Sequence, residues 1–463
     1  MLRKTLMLNS LKRAISWMNQ HPGKSGTLAG WLQQSASIYS SLLVLPLLFR
    51  VLSKDDVGRW FAFQGFLNMA NLVDFGVGFA ISRQAAHCFG GGKKNSGSDF
   101  LDFGAGWDGL SLLRVTAERI KICTVLLAAL VGVAIFELIL PHTELLDVTQ
   151  MSKFRWTWYC LMGSSLLISS AAVENTILNG LGKVYVTRLL TAAFFFLNGT
   201  LIMCAAALWK NISEMAMISL IAAFVYRVSA WCAVRKIAPQ IFYKEKRKKW
   251  NRALIFPLLK VAAPVGFVNI GSFLVSSIQS PLIGAFLGPS AVAPFYLAQK
   301  IGQFINQAAR QVLMPQIPLF TKMIGSGDLG GARKIMVRTL FISWVGTVLA
   351  CVLFFVLSPL VARWVFGAES YVETNVLFFM SVDYMILGIA VSFGYFVLAS
   401  GRNPFVYSTL GAGFLNLALL FLLLPKIGLL AIPLSSLFSG ILTNYWYNIY
   451  WGKFVLQEFG VKR

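Results

Sequence analysis

Two stretches of this chain repeat each other: QSASIYSSLLVLPLLFRVLSKDDVGRWFAFQGFLNMAN (Gln34–Asn71) and NIGSFLVSSIQSPLIGAFLGPSAVAPFYLAQKIGQFIN (Asn269–Asn306). A shift of 235 residues aligns them without a gap. Matches of Leu or Val between apolar stretches arise easily by chance, whereas matches of Ser, Pro, Gln and Asn do not. The coinciding pairs are Ser37 with Ser272, Ser41 with Ser276, Pro46 with Pro281, Gln64 with Gln299 and Asn71 with Asn306. The pattern predicts a chain built from two repeats.

The repeats belong to a strongly apolar chain. Of its 463 residues, 57% are hydrophobic and 13% are charged, whereas a soluble domain has about 25% charged residues. Runs of about 20 apolar residues, enough to cross a hydrocarbon core of about 30 Å, recur along its length. We therefore predict an all-α polytopic membrane protein with about 12 transmembrane helices. They are expected at 27–49, 57–82, 119–140, 156–180, 184–208, 214–234, 257–281, 291–315, 335–358, 374–399, 404–424 and 428–451.

Both repeats are predicted to begin on the cytoplasmic side, so they run parallel about an axis along the membrane normal. The expected fold is two six-helix bundles, with a substrate cavity between them near the midplane. The predicted segments are an amphipathic interfacial segment at 1–24, an N-terminal bundle at 25–235, a basic cytoplasmic linker at 236–256, a C-terminal bundle at 257–452 and a cytoplasmic tail at 453–463.

The positive charge is distributed unevenly. The formal net charge is +23, and 31 of the 41 Lys and Arg residues fall in segments predicted to be cytoplasmic. This asymmetry follows the positive-inside rule and predicts that both termini lie in the cytoplasm, so the charge does not indicate nucleic-acid binding. The densest basic run, at Lys244–Arg252, is predicted to bind anionic lipid headgroups.

One predicted span carries an unusual polar face. Within Tyr296–Gln311, residues Gln299, Lys300, Gln303, Asn306 and Arg310 recur at helical spacing. A buried cation costs at least about 2.5–3.5 kcal/mol in a membrane unless water or a partner relieves it. Arg310 is near the inner interface and could extend toward water, whereas Lys300 is well inside the span. The stripe is therefore predicted to line a cavity.

Amides and hydroxyls form equivalent faces on the other helices of the repeats. Such groups bind sugar hydroxyls, and Lys and Arg bind phosphate. The alternative is that these residues only hold helices together, as polar residues often do in membranes. The predicted substrate contacts are Gln34, Gln64, Asn68, Asn71, Asn269, Gln299, Lys300, Gln303, Asn306 and Arg310.

Acidic residues in the spans are candidates for ion coupling: Asp74, Glu174 and Asp383. Asp74 and Glu174 are near cytoplasmic helix ends, where capping or ion pairing is the expected role. Asp383 is deeper, and could pair with a cavity cation or titrate during transport. The six cysteines and three histidines show no metal-ligand spacing. No cofactor is predicted, and the sequence leaves open whether protons or sodium ions drive the cycle.

A family resemblance follows from two longer stretches. LGPSAVAPFYLAQKIGQFINQAARQVLMPQIPLFTKMIGSGDLGGARKI (Leu287–Ile335) has a Leu-Gly-Pro turn, a Tyr-x-x-Ala helix and a Gly-Asp before Ala-Arg-Lys. FRVLSKDDVGRWFAFQGFLNMANLVDFGVGFAISRQAA (Phe49–Ala86) has an acidic turn, a Gly-x-Trp and an Asp-Phe-Gly. Both resemble the polysaccharide-transporter branch of the multidrug/oligosaccharidyl-lipid/polysaccharide (MOP) exporter superfamily.

The resemblance implies a Wzx-type flippase with a MATE/MOP-like fold in a bacterial cytoplasmic membrane. Such proteins move undecaprenyl-diphosphate-linked oligosaccharide units to the outer leaflet by alternating access, for assembly of O-antigen lipopolysaccharide, capsule or exopolysaccharide. Lys300 and Arg310 would then meet the diphosphate, Lys300 alternatively an acidic sugar, and the amides would bind the glycan. Polymerase and chain-length proteins of the same pathway are candidate partners.

Two other functions stay open. A MATE-like ion-coupled exporter of small molecules would need a carboxylate at the centre of its cavity. A membrane polymerase or ligase acting on lipid-linked sugars is less favoured, because the longest outer connections are only Pro141–Arg155 and Ser358–Glu373 and no catalytic motif is found. The chain is therefore predicted not to be an enzyme.

Overall fold

The computed structural model describes residues 22–72, 75–89, 106–245, 255–313, 316–363, 372–400 and 402–458. Within these ranges all regular structure is helical, which confirms the all-α prediction for them. The helices of the first half are α1 (Pro22–Ile38), α2 (Leu45–Val51), α3 (Lys54–Asn71), α4 (Val77–Phe89), α5 (Gly106–Ala134), α6 (Met151–Ser170), α7 (Ala172–Gly180), α8 (Val184–Trp209), α9 (Ile212–Ile237) and α10 (Pro239–Glu245).

The second half is built in the same way. Its helices are α11 (Ile255–Ser276), α12 (Gln279–Leu287), α13 (Pro289–Leu313), α14 (Ile317–Gly325), α15 (Leu329–Val361), α16 (Thr374–Ala399), α17 (Val406–Ile427), α18 (Ala431–Ser439) and α19 (Trp446–Glu458). Short π-helical segments at Tyr39–Leu43 and Gly440–Tyr445 join neighbouring α-helices, and a third at Ile135–Ile139 extends the C-terminal end of α5. Residues 1–21 of the predicted interfacial segment, 246–254 of the basic linker and 459–463 of the tail lie outside the described residues.

Nine helical segments within the described ranges are long and apolar enough to cross a membrane. They account for all but two of the predicted spans, because the two spans predicted at 404–424 and 428–451 form one continuous segment, Val406–Glu458. The span predicted at 291–315 is helical in its described part, and that at 57–82 is helical except for a turn at Phe75 and Gly76, but neither is among the nine. The predicted number of 12 is therefore not confirmed.

The chain forms two compact units, and neither unit is one continuous stretch of sequence. The first comprises the described parts of Met1–Val51, Ala70–Ile139 and Val148–Gly266, and the second comprises those of Leu52–Met69, Leu140–Asp147 and Phe267–Arg463. Most of α3 and the turn after Ile139 thus pack with the C-terminal helices. The division into bundles at 25–235 and 257–452 stays a prediction.

The repeat is visible in local geometry. The Ser41 hydroxyl donates to the carbonyl of Ser37 at 2.6 Å, and in the second repeat the Ser276 hydroxyl donates to the carbonyl of Ser272 at 2.8 Å. In each case the helix is interrupted shortly afterwards, and a new helix begins at Leu45 or Gln279. A proline follows within the first turn of the new helix, where its missing N–H costs nothing.

Close helix approaches fix the core of the second unit. A Cβ atom added to Gly302 on α13 would overlap the ring of Tyr384 on α16. One added to Gly271 on α11 would overlap the backbone of Thr409 on α17. These two glycines allow close packing of α13 against α16 and of α11 against α17, as small residues do in membrane proteins. Of these helices, α11, α13 and α16 contribute to the wall of the polar cavity described next.

Candidate functional site

A cavity of about 240 Å³ lies within the second unit, along the polar face of α13. Gln299, Gln303 and Gln307 face it at intervals of four residues, which places them in one row on the helix. The rest of the wall comes from α11, α12, α16 and α18. These lining residues are Val275, Ser276, Gln279, Phe295, Met380, Asp383, Tyr384, Leu387, Ile432, Pro433 and Ser436.

Gln299 is the deepest of the three amides, being only 4% exposed. Its Nε2 donates to the carbonyl of Ser276 at 2.9 Å and to Gln279 Oε1 at 2.6 Å. Gln279 Nε2 in turn donates to the carbonyl of Val275 at 2.8 Å. Gln299 therefore holds α13 against the break between α11 and α12, so its amide serves packing as well as the cavity.

Lys300 is not among the lining residues of this cavity, but it contacts Gln303, which is. Its Nζ donates to Gln303 Oε1 at 3.2 Å and is 4.9 Å from the centroid of the Tyr296 ring. That ring stacks on Phe61 of α3 with centroids 3.7 Å apart. No carboxylate among the described residues pairs with Lys300, so its charge is balanced only by an amide oxygen and an aromatic face.

Asp383 is the acidic group of the cavity and is 5% exposed. Its Oδ2 accepts from the Ser436 hydroxyl at 2.8 Å and its Oδ1 accepts from the Tyr445 hydroxyl at 2.6 Å. Within the described part of the chain, no Lys, Arg or His forms an ion pair with it. The predicted pairing of Asp383 with a cavity cation is therefore not found in these residues, because two hydroxyls occupy its oxygens instead.

The remaining predicted residues are more scattered. Half-buried Gln64 and exposed Asn68 are on α3 and exposed Asn269 is on α11, and none of the three lines this cavity. Gln34 is half-buried on α1 in the first unit. Asn71, Asn306 and Arg310 are on described helices, but their side chains, like the whole of Asp74, lie outside the described residues. A single cavity lined by all four polar faces stays a prediction.

Glu174 belongs to the first unit and does not line this cavity. It is on α7 in the first unit, 1% exposed, and its Oε1 is 2.8 Å from Nη1 of Arg227 on α9. A carboxylate held in this way by a guanidinium has a structural partner. No group of three or more His, Cys, Asp and Glu side chains in the described ranges could hold a metal ion.

Sequence reasoning gave no role to Ser436 and Tyr445. They are 53 and 62 residues beyond Asp383, and hydroxyls are common in membrane helices. Neither their sequence separation nor their residue type therefore identifies them as partners of Asp383. The available signal was the cluster of Ser435, Ser436 and Ser439 in an otherwise apolar helix. Such a cluster suggests a polar neighbour, but does not say which one.

A sequence profile of the family described as polysaccharide biosynthesis protein matches residues 26–324. The chain belongs to this family. The match includes both repeated stretches and the Lys300 helix. A search of curated proteins found no significant sequence match.

Solved structures of MATE and MOP transporters have the same fold as this family member. An inward-facing multidrug resistance MATE transporter of the MOP superfamily is similar with a TM-score of 0.67 and 14% identity, over 93% of this chain and 99% of that one. A MATE transporter from Vibrio cholerae matches with a TM-score of 0.56 and 15% identity, over 94% and 98% of the two chains. These identities show the fold alone. They confirm an all-α polytopic membrane fold of the MATE/MOP type.

A third structure, a MOP superfamily transporter from Pyrococcus furiosus, has a TM-score of 0.60 and 13% identity, over 95% of this chain and 97% of that one. Its description states that a reversed polarity of the binding pocket suggests a different function. The family profile and these folds together confirm the resemblance to the polysaccharide branch of the MOP superfamily.

Proposed function

We propose that this protein is a membrane transporter that flips undecaprenyl-diphosphate-linked oligosaccharide units from the inner to the outer leaflet of a bacterial cytoplasmic membrane. Family membership supports a step in polysaccharide biosynthesis, and the fold supports transport by alternating access. The products served would be O-antigen, capsule or exopolysaccharide. The same considerations speak against a polymerase or ligase, since the related folds are those of transporters.

The observation that carries the proposal is the position of Lys300. Its ammonium group has no carboxylate partner among the described residues and contacts Gln303, which lines a cavity rich in amides. In the proposed function the ammonium group binds a diphosphate oxygen by a charge-assisted hydrogen bond, while Gln303 and Gln307 bind glycan hydroxyls. Arg310, about three turns beyond Lys300 on α13, would bind the diphosphate from the inner side.

The experiment is to locate lipid-linked oligosaccharide in cells that lack this protein, with a membrane-impermeant probe of the outer leaflet. Complementation with wild type or with the exposed-lysine control Lys426→Gln should restore delivery. Lys300→Gln should lower delivery by at least about tenfold, because a hydrogen bond to a charged group contributes about 1.5–3 kcal/mol. Arg310→Gln is compared alongside. Normal delivery without the protein would refute a flippase.

The second candidate, a MATE-like ion-coupled exporter of small molecules, is favoured by one specific observation. Asp383 places a carboxyl in the cavity wall, as such an exporter needs. Its two oxygens already accept hydroxyl hydrogen bonds, however, so a cation would have to compete for them. Proton- or sodium-dependent efflux of a cationic dye, lost in Asp383→Asn, would establish this function in place of the first.

The proposed partners follow from the same function. Anionic lipids would bind the basic run Lys244–Arg252, and polymerase and chain-length proteins would receive the flipped units. Vesicle binding by wild-type protein and by a variant with the run neutralised would test the lipid contact. The neutralised variant is expected to bind anionic vesicles less than wild type does, and to bind neutral vesicles equally.

A further inference from the structure

A second cavity, of about 350 Å³, continues from the first within the same unit. The two share Val275, Ser276 and Leu387, and they follow one another along α16. At about 1.5 Å of rise per residue, the α16 segment from Met380 to Leu398 that lines them is roughly 27 Å long. This length is close to the thickness of a hydrocarbon core, so the two cavities form a track along most of a membrane-spanning helix.

The second cavity has no charged residue among its described lining residues. Its polar groups are instead two amides and several hydroxyls, and its apolar groups include three aromatic rings. The amides are those of Asn444 and Asn448, and the hydroxyls include those of Ser272 and Thr409. The three aromatic rings are Tyr395, Phe405 and Tyr445. A pocket of this size with a few placed polar groups suits a small ligand.

The two amides hold each other in one orientation and leave one donor and one acceptor without a partner. Asn448 Nδ2 donates to the carbonyl of Asn444 at 2.8 Å and to its Oδ1 at 2.7 Å. The Ser408 hydroxyl also donates to Asn444 Oδ1, at 3.2 Å. Asn444 Nδ2 and Asn448 Oδ1 therefore remain as a donor and an acceptor with no partner among the described residues. A sugar with neighbouring hydroxyls satisfies both, since each hydroxyl donates and accepts.

A carboxyl lies immediately behind one wall. Tyr445 lines this cavity, and its hydroxyl donates to Asp383 Oδ1 at 2.6 Å. Because no basic residue in the described part of the chain pairs with Asp383, an ionised carboxylate there would repel a second negative charge brought into the cavity. Like charges placed in this way are a common device for rejecting the wrong ligand.

We propose that this second cavity is a subsite for an uncharged sugar of the transported glycan, and that Asp383 makes it reject acidic sugars such as uronic acids. The proposal rests on the proposed function and names the substrate class of its site. The ammonium group of Lys300 would bind the anionic end of the lipid-linked substrate beside the first cavity. The amides of Asn444 and Asn448 would bind a neutral residue in the second.

The test uses full-length protein in proteoliposomes and two fluorescent polyprenyl-diphosphate-linked trisaccharides. They differ only in the terminal sugar, which carries either a hydroxymethyl group or a carboxylate. Transport is measured with a membrane-impermeant quencher. Thermal shifts with the two free trisaccharides measure binding without the lipid. We expect wild type to transport the neutral compound about tenfold faster, as a like-charge contact predicts, and only the neutral trisaccharide to raise the unfolding temperature.

Three variants identify the residues responsible. Thr409→Val removes a cavity hydroxyl at nearly constant volume, and Thr443→Val makes the same change one residue from Asn444 but outside the cavity. Thr409→Val should lower transport of the neutral compound severalfold and Thr443→Val should not, because only the first loses a hydrogen bond to sugar. Asp383→Asn should raise transport of the acidic compound relative to the neutral one.

The outcomes separate the two proposals. The subsite proposal would be overturned if wild type transported both compounds equally and the Thr409→Val and Thr443→Val variants transported the neutral compound at the same rate. That result would not contradict the flippase proposal. If the protein transports neither compound, the flippase proposal is overturned. In that case the subsite is still supported if the neutral free trisaccharide raises the unfolding temperature and the acidic one does not. Absence of both transport and shift would overturn both.

Discussion

Glu174 and Asp383 are two buried carboxyls in the two units of this protein, and their surroundings differ. Glu174 is 1% exposed and faces the guanidinium of Arg227 at 2.8 Å. Asp383 is 5% exposed and accepts hydrogen bonds from two hydroxyls, without a cation among the described residues. Burying a charge costs desolvation free energy, and an ion pair offsets part of that cost within the fold. A carboxyl supported only by hydroxyls keeps its charge available to a ligand or an ion.

The comparison therefore assigns different roles to residues that look alike in the sequence. Both are single acidic residues in apolar helices and both were candidates for ion coupling. The ion pair with Arg227 favours a structural role for Glu174 in the first unit. The cavity position makes Asp383 a candidate for function in the second. Four predictions test this assignment, beginning with the largest effect.

Glu174→Gln should destabilise the protein by about 3 kcal/mol, because it leaves the partly buried Arg227 guanidinium without its counter-charge. The measurement is unfolding of purified protein in detergent, followed by fluorescence. The double variant Glu174→Gln/Arg227→Gln removes both charges and should recover at least half of the loss. A single variant as stable as wild type would show that the ion pair does not hold the fold.

Gly302→Ala should destabilise the second unit by about 1–3 kcal/mol, since the new methyl group overlaps the Tyr384 ring beside Asp383 and forces α13 from α16. Gly346→Ala on α15 is the matched control, because a Cβ there meets no atom within 4 Å. The control should be neutral or slightly stabilising, since alanine favours a helix. Equal effects at both positions would contradict the tight contact that positions Asp383.

Asp383→Asn should cost less than about 1.5 kcal/mol of stability, because an amide of the same shape can still accept a hydroxyl hydrogen bond. Transport selectivity should nevertheless change, as it depends on the charge. Stability in detergent and transport in proteoliposomes are measured on the same preparation. A loss of stability equal to that of Glu174→Gln would abolish the distinction between the two carboxyls.

Tyr445→Phe should have the smallest effect on stability, about 1 kcal/mol, by removing one hydroxyl donor to Asp383. In combination with Asp383→Asn, the two losses should not add, because both change the same hydrogen bond: one removes its donor and the other removes the charge of its acceptor. A double-mutant cycle on unfolding measures the coupling. Additive effects would mean that Tyr445 and Asp383 act independently, and would remove Tyr445 as the link between the cavities.

Much of the architecture could be predicted because it depends on local patterns. The all-α membrane fold follows from apolar runs, and the repeat follows from matched serines and prolines whose local geometry recurs at Ser41 and Ser276. The polar face of α13 follows from helical spacing, and Gln299 and Gln303 do line a cavity. The number of spans was harder to predict, because polar faces lower the hydropathy of the helices that line the interior.

The sequence by itself determined which helices are apolar and which of them carry polar stripes, since helical periodicity is a property of neighbouring residues. Only the tertiary structure decided which stripes meet. It brings Ser436 and Tyr445 to Asp383 across separations of 53 and 62 residues, and it gives Glu174 an arginine instead. It also makes the Gln299 amide a packing contact between helices as well as part of the cavity wall. The physical reason is that a side chain's charge balance depends on contacts between distant helices, which no local pattern encodes.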